Sequence, residues 1–425
     1  MTIPALRSVA AAVSVLVVGV MAAGSSQALA GEGASLGDWP QFHGPLRDNI
    51  STETGLLKQW PAEGPRLVWK SPECGAGYAG PAIAGGRIFL SGDFAELEAV
   101  IALDANGTLL WKTVNGKSWK GPYPGARTTP TCDNGTLYHM NPHGRLAALA
   151  AADGREVWAV DLGQRFGAKP SMWAMAENVI LDGNAVLCAP GGPRGRVAAL
   201  DKATGRTIWA NTDIDQQAAY CSPIIFEHNG VRQYVTIMQN QVVSVDVRTG
   251  KLLWTHPHQT KGDQNVTMPL YTDGKLYVSS GHGTGGRLLQ IAPDSRSVRQ
   301  LWVDTDQDNC HGGVILRDGC LFGHGCRLTG KGFVCVELTT GKTAWNEKAL
   351  GKVSLTWADG LFYCINDKAL VSLVEAGPAG CRVVSKFNLP RGKSLTLSHP
   401  VICGKRLYIR HWNDLFVFDL AAAGK

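Results

Sequence analysis

Short apolar runs separated by turns that contain Asp and Gly recur along most of the chain. The clearest unit is Ala199–Trp209, in which the apolar run 197–200 is followed by Asp201, Gly205 and a second run that ends at Trp209. An Asp carboxylate accepts hydrogen bonds from turn amides, and Gly adopts the left-handed conformation that closes a hairpin. The pattern therefore predicts two antiparallel strands joined by a tight turn.

The same phrase is repeated, so the chain is predicted to be built from one reused hairpin. Close copies stand at Ser244–Trp254 and Cys335–Trp345, and looser copies at Ala102–Trp111 and Ala148–Trp158. The aromatic residues that end the phrases follow one another at intervals of 42 to 51 residues: Trp69, Trp111, Trp158, Trp209, Trp254, Trp302, Trp345 and Phe387. This period is typical of a four-stranded propeller blade.

A second strand pair lies upstream of each hairpin, as in Pro269–Val278 with its Asp273-Gly274 turn. Its equivalents begin at Pro81, Pro130, Val179, Pro223, Val314, Thr356 and Pro400. Eight such starts predict an all-β, eight-bladed propeller of four-stranded antiparallel blades. The first phrase, at about 66–70, has no blade before it, so we expect it to complete the last blade and close the ring, which removes exposed strand edges.

The segments outside the repeat have their own patterns. Residues 1–30 combine Arg7, an apolar run at 9–23 and the small-residue site Ala28-Leu29-Ala30, which is typical of a cleaved secretory signal. Residues 31–64 are predicted to form an arm across the propeller, 65–420 the propeller itself and 421–425 a tail. We expect a periplasmic or secreted monomer with no transmembrane segment after cleavage of the signal.

Charge and cysteine content limit the possible functions. The net charge of +6 is scattered and forms no basic stripe interleaved with aromatic residues, so nucleic-acid binding is not expected. The 11 cysteines include no Cys-x-x-Cys pair. Cys310, Cys320 and Cys326 are close enough in sequence to include a disulfide, and the sequence leaves their pairing open.

Polar and aromatic residues stand immediately before the first strand of each blade, where they would surround the mouth of the central channel. They are Tyr78, Arg127, Glu177, Asn178, Tyr220, Asn265, His311, Lys352 and His399, with Trp173 and Trp357 flanking two of them. Such groups either satisfy turn amides and channel waters or form a ligand or metal site. The residues themselves leave both interpretations open.

Two further clusters were considered as metal sites. Asp304, Asp306 and Asp308 alternate as calcium ligands do, but Asn309 stands where the helix–loop–helix calcium motif needs Gly, which favours an acidic connection between blades. His256-Pro257-His258 offers two imidazoles without a third ligand at a diagnostic spacing for copper or zinc.

The phrase Ala-x-Asp-x-x-Thr-Gly-x-x-x-Trp resembles the docking repeat of the pyrroloquinoline-quinone-like (PQQ-like) propeller family. The opening Asp38–Pro45 and the run Val231–Val235 are also similar to secreted bacterial members of this family. The resemblance implies that the terminal Trp residues pack against neighbouring blades and form a structural belt.

One functional class of this family consists of dehydrogenases that bind pyrroloquinoline quinone and calcium at the channel mouth. The resemblance implies a cofactor-binding set drawn from Arg127, Trp173, Glu177, Asn178, Asn265, His311, Lys352, Trp357 and His399. Within it, Glu177 with Asn178 or Asn265 would hold calcium. Arg127 or Lys352 would meet the quinone carboxylates, and Trp173 or Trp357 would lie beneath the ring. Asp308 is the nearest candidate for the catalytic base.

The other class consists of scaffold subunits of outer-membrane assembly, which bind partners through their rim loops without a cofactor. The length, the eight short blades and the secretory start of this chain favour that class, and the adjacent-Cys disulfide of many quinone-dependent alcohol dehydrogenases is missing. The sequence therefore predicts a binding or assembly scaffold, with a quinone- and calcium-dependent dehydrogenase as the alternative.

Overall fold

The structure is a computed structural model that describes residues 1–2, 37–326, 330, 332–390 and 394–422. The predicted secretory signal falls outside the described residues, apart from its first two positions. The regular secondary structure of the described chain is almost entirely β-strand, with one short α-helix, α1 (Leu162–Phe166), and two single-turn 3-10 helices. Within these ranges, no helix has the length and apolar character that crossing a membrane requires.

The described strands form eight sheets, each of which is one blade. Blades 1 to 3 are β3–β6 (Ala82–Ala84, Arg87–Phe94, Leu97–Leu103, Leu109–Lys117), β7–β10 (Thr131–Asp133, Thr136–Met140, Arg145–Ala150, Glu156–Asp161) and β11–β14 (Ile180–Asp182, Ala185–Cys188, Val197–Asp201, Thr207–Asn211). Blades 4 to 6 are β15–β18 (Ile224–His228, Val231–Ile237, Gln241–Asp246, Leu252–Pro257), β19–β22 (Leu270–Thr272, Lys275–Ser280, Gly285–Ile291, Val298–Asp304) and β23–β26 (Ile315–Arg317, Cys320–Gly325, Gly332–Glu337, Thr343–Glu347). Blade 7 is β27–β30 (Val353–Ala358, Leu361–Asn366, Leu370–Gly377, Gly380–Asn388), joined by β1 (Ile50–Ser51), and blade 8 is β31–β33 (Val401–Cys403, Arg406–His411, Asp414–Asp419), joined by β2 (Leu67–Ser71).

The inner strands begin close to the predicted positions. Seven of the eight start one residue after the expected residue. The exception is β27, which starts at Val353, three residues before Thr356. The prediction of eight four-stranded antiparallel blades is confirmed.

The repeated phrase forms the predicted hairpin, as blade 3 shows. The Asp201 carboxylate accepts hydrogen bonds from the amide of Thr204 at 2.9 Å and from its hydroxyl at 2.7 Å. Gly205 has a φ of 67°, which a residue with a side chain adopts at a cost. The two strands then pair in antiparallel register, with Trp209 opposite Ala199.

The Trp belt arises because the outer strand of one blade meets the hairpin turn of the next. The indole of Trp158 donates a hydrogen bond to the carbonyl of Lys202 at 2.9 Å, and the indole of Trp209 donates to that of Val247 at 3.0 Å. A Cβ added to Gly205 would lie 2.7 Å from the Trp158 ring. The turn glycine therefore lets the next blade's backbone lie directly on the indole face.

Trp254 is an exception within this belt. It is buried with Leu276 and Leu289 of blade 5, but its indole donates to the side chain of Gln233 in its own blade, at 3.0 Å. The corresponding turn of blade 5 has Ser295 at φ 59° in place of the usual glycine. The missing Thr-Gly pair in that turn thus coincides with a different hydrogen bond.

The predicted closure of the ring is confirmed. Strand β2 pairs with β33 in antiparallel register and completes blade 8. Gly64, just before β2, packs against Phe387 of blade 7, which repeats the glycine-on-aromatic contact of the other junctions. The buried guanidinium of Arg410, on β32, donates to the carbonyls of Gly75 and Ala79 and joins the last blade to the first.

The apolar core lies between neighbouring blades. One cluster, for example, joins Leu187 and Val197 of blade 3 to Tyr234 and Val243 of blade 4. Each blade is therefore stabilised mainly by burying the apolar side chains on its faces against the neighbouring blades, because a single sheet has no interior of its own. This packing fixes the inner strands and the segments that precede them.

The segment that precedes β2 crosses the ring from blade to blade. Trp39 exchanges backbone hydrogen bonds with Ile83 of blade 1, and β1 pairs in parallel with β27 of blade 7. Between them, the buried side chain of Arg47 donates to the carbonyls of Asn178 and Val179, just before and at the start of blade 3. The described part of the arm therefore contributes buried side chains to the channel.

Candidate functional site

A cavity of about 450 Å³ opens at the channel mouth, where the segments that precede the inner strands converge. Every blade contributes to its lining. The residues that carry most of its chemistry are Phe42, Tyr78, Tyr123, Arg127, Trp173, Asn178, Tyr220, His282, Cys310, His311, Cys326, Lys352 and His399. A concave, partly aromatic site with a few convergent polar groups is typical of ligand and partner binding.

The structure brings part of the predicted set together. Arg127, Trp173, Asn178, His311, Lys352 and His399 line the cavity. Glu177, Asn265, Trp357 and Asp308 are not among its lining residues. That any of these residues binds a cofactor stays a prediction.

Glu177 is buried between blades 3 and 4. Its carboxylate accepts hydrogen bonds from the amide of Ala189 at 2.8 Å and from the hydroxyl of Tyr234 at 3.1 Å. Burial raises the pKa of Glu177 to about 7, although both hydrogen bonds and the charge of Arg47 oppose that shift. The carboxylate joins two blades from within the core.

Asn178 and Asn265 are also held by neighbours within the protein. The Asn178 side-chain oxygen accepts from the amide of Thr129 at 2.6 Å. The Asn265 oxygen accepts from the hydroxyls of Thr260 and Ser280 at 2.6 and 2.7 Å. These oxygens and those of Glu177 serve separate partners and do not form a shared ligand cage.

Trp357 and Asp308 have structural contacts of their own. The guanidinium of Arg317 lies over the Trp357 ring, 4.1 Å from its centroid, so this face of the indole is already covered. Asp308 is buried and accepts hydrogen bonds from the amides of Gly283 and Cys326. Its carboxylate holds two loops that approach the mouth.

The two other predicted clusters are likewise occupied by protein contacts. Asp304 accepts from the amide of Gln307 at 2.8 Å and from the hydroxyl of Tyr277 at 3.2 Å, while Asp306 accepts from Thr343. These contacts agree with an acidic connection between blades. His258 is buried, and its Nε2 forms a hydrogen bond of 2.8 Å with the hydroxyl of Ser280.

The residues of the mouth do not fit calcium-bound pyrroloquinoline quinone. Calcium requires several oxygen ligands, among them carboxylates. No Asp or Glu lines the cavity within the ranges that the structure describes, whereas Arg127 and Lys352 both do. The cavity therefore favours anionic or neutral groups over a hard cation.

Arg127 organises the rim of this cavity. Its guanidinium donates to the carbonyls of Pro122, at 2.9 Å, Tyr123 and Trp173, so that it joins the loops before blades 2 and 3. Burial lowers its pKa, and nearby Tyr78 and Asp93 oppose the shift. Lys352, on the other side, lies 3.6 Å from the carboxylate of Asp367.

The arm supplies cavity residues that the blade alignment could not reveal. Phe42 lines the cavity, and the neighbouring ring of His43 stacks on it with centroids 3.8 Å apart. His43 also meets His399 at 4.4 Å between centroids. Burial lowers the pKa of His43 well below its usual value and that of His399 to about 4, so both imidazoles are neutral at pH 7.

A group of thiol and imidazole side chains lies beside Lys352. The ligand atoms of Cys310, His311 and His324 lie within 4.8 Å of one another, and the thiol of Cys326 is hydrogen-bonded to that of Cys310. That hydrogen bond lowers the pKa of Cys326 against the effect of burial. All eleven cysteines are free thiols in this structure.

The sequence prediction included His311 but missed His324, and it considered Cys310 and Cys326 only for a disulfide. His324 is a fully buried residue within β24, a strand whose residues are all buried. An imidazole in the middle of such a strand is unusual, because a buried polar group needs a partner. That signal could have marked His324 as a candidate.

Comparison with known proteins identifies the class. A ring of eight blades, in which the Trp of one blade packs against the turn glycine of the next, is the arrangement of a PQQ-like propeller. The family model described as outer membrane protein assembly factor BamB matches residues 96–347, which is more than half of the chain. The chain belongs to this family.

Individual relatives fall in both functional classes. The outer membrane protein assembly factor BamB of Escherichia coli is 26% identical over 212 residues, which are 49% of this chain and 49% of that protein. Quinohemoprotein alcohol dehydrogenase ADH IIB of Pseudomonas putida is 31% identical over 238 residues, 52% of this chain and 33% of that protein. The chain spans about half the length, or less, of these relatives.

Solved structures show the same fold. BamB from Moraxella catarrhalis superimposes with a TM-score of 0.55 at 16% identity, over 80% of this chain and 98% of that one. Quinohemoprotein alcohol dehydrogenase from Comamonas testosteroni gives a TM-score of 0.64 at 13% identity, over 91% of this chain and 81% of that one. At these identities the likeness extends to the fold alone.

Proposed function

We propose that this chain is a periplasmic binding scaffold that takes part in outer-membrane protein assembly through the mouth of its propeller. Its membership of the assembly-factor family carries the proposal. The fit of the mouth supports it, because the lining within the described ranges offers aromatic and cationic groups and no carboxylate for calcium. The alternative, a quinone-dependent dehydrogenase, is therefore the less well supported of the two.

The rim of the mouth has the composition of a protein-binding surface. We call five residues the mouth-rim patch: Tyr123, Trp173 and Leu395, which line the cavity, Trp119, whose ring lies beneath the Arg127 guanidinium, and Met172, which precedes Trp173. Tyr123, Met172 and Leu395 are large apolar residues that are exposed, at 48%, 55% and 39%. Aromatic residues, Met and Arg are enriched where partners bind, and anchors that enter a pocket carry most of the energy.

The patch is held in place rather than loosely attached. The indole of Trp173 donates to the carbonyl of Gly262 at 2.9 Å, and its ring lies 5.8 Å from that of Tyr123. Arg127 donates to carbonyls on both of these loops. Because these side chains are already ordered, a partner loses less entropy when it binds them.

The test is site-specific photo-crosslinking in cells, with the photoreactive residue in place of Met172. The expected result is a crosslink to a component of outer-membrane protein assembly. Val157, an equally apolar residue that is 45% exposed on outer strand β10, is the matched control position. Crosslinks to the same component from both positions would contradict a binding surface at the mouth.

Complementation gives an independent result. A strain without this chain should contain less folded outer-membrane β-barrel protein, and the wild-type chain should restore it. The double variant Met172→Asp and Leu395→Asp should not, whereas Val157→Asp should. Normal β-barrel levels in the strain without the chain would refute the proposed function.

A further inference from the structure

Two thiols and two imidazoles converge at the edge of the cavity, next to the start of blade 7. Cys310 and His311 precede β23, His324 lies on β24, and Cys326 follows that strand. Cys310 and Cys326 line the cavity, so the group can be reached from the channel mouth.

Hydrogen bonds fix the tautomer of both imidazoles. The Nδ1 of His324 lies 3.0 Å from the carbonyl of Val353, which can only accept, so Nδ1 carries the proton. The Nδ1 of His311 lies 3.3 Å from the hydroxyl of Ser354, which donates its own proton to the carbonyl of Leu397. Both rings therefore keep a lone pair on Nε2, which is the arrangement seen in histidines that bind metal ions.

His324 Nε2 lies 3.6 Å from the Cys310 sulfur. It also accepts a hydrogen bond of 3.3 Å from the amide of Cys310, which a bound metal ion would replace. His311 Nε2 is buried and has no hydrogen-bond partner among the described residues. Burying a nitrogen without a hydrogen-bond partner costs free energy, and a metal ion bound to its lone pair would remove that cost.

The spacing suits one small ion. Bonds of about 2.0–2.3 Å in a tetrahedral site place neighbouring ligand atoms roughly 3.3–3.8 Å apart. The Cys310–His324 distance is already in that range, and all the ligand atoms of Cys310, His311 and His324 are within 4.8 Å of one another. A shift of about 1 Å, within the reach of rotamer adjustment, would bring the three around one ion.

We propose that Cys310, His311, His324 and Cys326 bind one thiophilic metal ion, Zn²⁺ or Cu⁺. Thiolate and imidazole together favour these ions over calcium or magnesium. Binding would remove the protons of both thiols, and the ammonium of Lys352, which interacts with both sulfurs, would offset their negative charge. The bound ion would link the loop before blade 6 to the second strand of that blade, and it would give Nε2 of His311 a bonding partner.

The experiment uses the reduced full-length protein under anaerobic conditions. Zn²⁺ or Cu⁺ is added in separate samples, unbound metal is removed, and bound metal is measured by mass spectrometry. About one ion per chain is expected with at least one of the two metals, and the metal retained distinguishes them. Co²⁺ should give a thiolate-to-metal charge-transfer band at the same stoichiometry, which reports sulfur ligation directly.

Three variants make the test specific. Cys310→Ser removes one ligand and should abolish the charge-transfer band, while Cys132→Ser removes a half-buried thiol elsewhere and should not. Ser354→Ala leaves all ligands in place but frees Nδ1 of His311, and should weaken metal affinity by about 10- to 100-fold. Thermal unfolding of each variant confirms that the fold is intact.

Metal uptake by Cys310→Ser equal to that of the wild type would overturn the proposal. So would the absence of retained Zn²⁺ and Cu⁺ in the reduced wild type. A Cys310–Cys326 disulfide found by peptide mapping in the reduced, metal-treated protein would also overturn it, because the thiols would then serve each other.

Discussion

Replacing Glu177 by Gln should change how the stability of the propeller depends on pH. The folded-state pKa of Glu177 is about 7, against 4.5 for an unperturbed glutamate. Between these values the folded chain keeps a proton that the unfolded chain releases, so stability falls as pH rises through this window. At 1.36 kcal/mol per pKa unit, the loss is about 3 kcal/mol above pH 7.

The surroundings of Glu177 explain why its pKa is raised and why stability falls as pH rises. Arg47 and the donors Ala189 and Tyr234 favour the carboxylate, and the pKa is raised in spite of them because burial dominates. Neighbouring Tyr234 has a pKa raised well above 10, and Cys188 one raised well above 9, so both are neutral in this pH range. Gln resembles the protonated acid in shape and hydrogen-bonding capacity, so it removes the titration with little other change.

The measurement is denaturant unfolding of wild type and Glu177→Gln between pH 4 and pH 8. The difference in unfolding free energy should shift in favour of the variant by about 3 kcal/mol across this range. Glu375→Gln, at an exposed ion pair with Arg382, is the matched control and should show an almost constant difference. Parallel pH profiles for wild type and Glu177→Gln would refute the assigned burial effect.

Three further predictions test the ring and its mouth. Gly205→Ala should destabilise the fold by roughly 2–4 kcal/mol in thermal or denaturant unfolding, because the added Cβ would lie 2.7 Å from the Trp158 ring. Gly135 has a similar positive φ but open space around it, so Gly135→Ala should cost only about 1–2 kcal/mol. Deleting residues 65–70 should expose the edge of β33 and cause aggregation, which size-exclusion chromatography would detect; a monodisperse, equally stable product would contradict ring closure. Calorimetric titration with pyrroloquinoline quinone should give no calcium-dependent heat, and one-to-one binding that requires calcium would restore the dehydrogenase alternative.

The fold could be predicted because each blade junction repeats the same local chemistry. A turn glycine and a terminal Trp are needed together, since the glycine of one blade lies on the indole of the preceding one. Their joint recurrence therefore reports tertiary packing as well as a hairpin. Where the pair is lost, as in the turn at Ser295, the phrase also becomes hard to recognise in the sequence.

The site could be predicted only in part, because a position before a strand does not fix the direction of a side chain. Arg127, Lys352 and His399 follow the blade alignment into the cavity. Glu177 occupies an equivalent position, but hydrogen bonds from the Ala189 amide of blade 3 and from the Tyr234 hydroxyl of blade 4 hold its carboxylate in the core. That competition depends on neighbours far away in sequence.

The arm shows the same limitation more strongly. Its residues have no periodicity, yet Phe42, His43 and Arg47 enter the channel and meet blades that lie more than 130 residues away. The rings of Phe42 and His43 pack against His399, whose burial lowers its pKa to about 4. The chemistry of the mouth is thus set jointly by the repeat and by a segment outside it, so the repeat alone does not determine what the mouth binds.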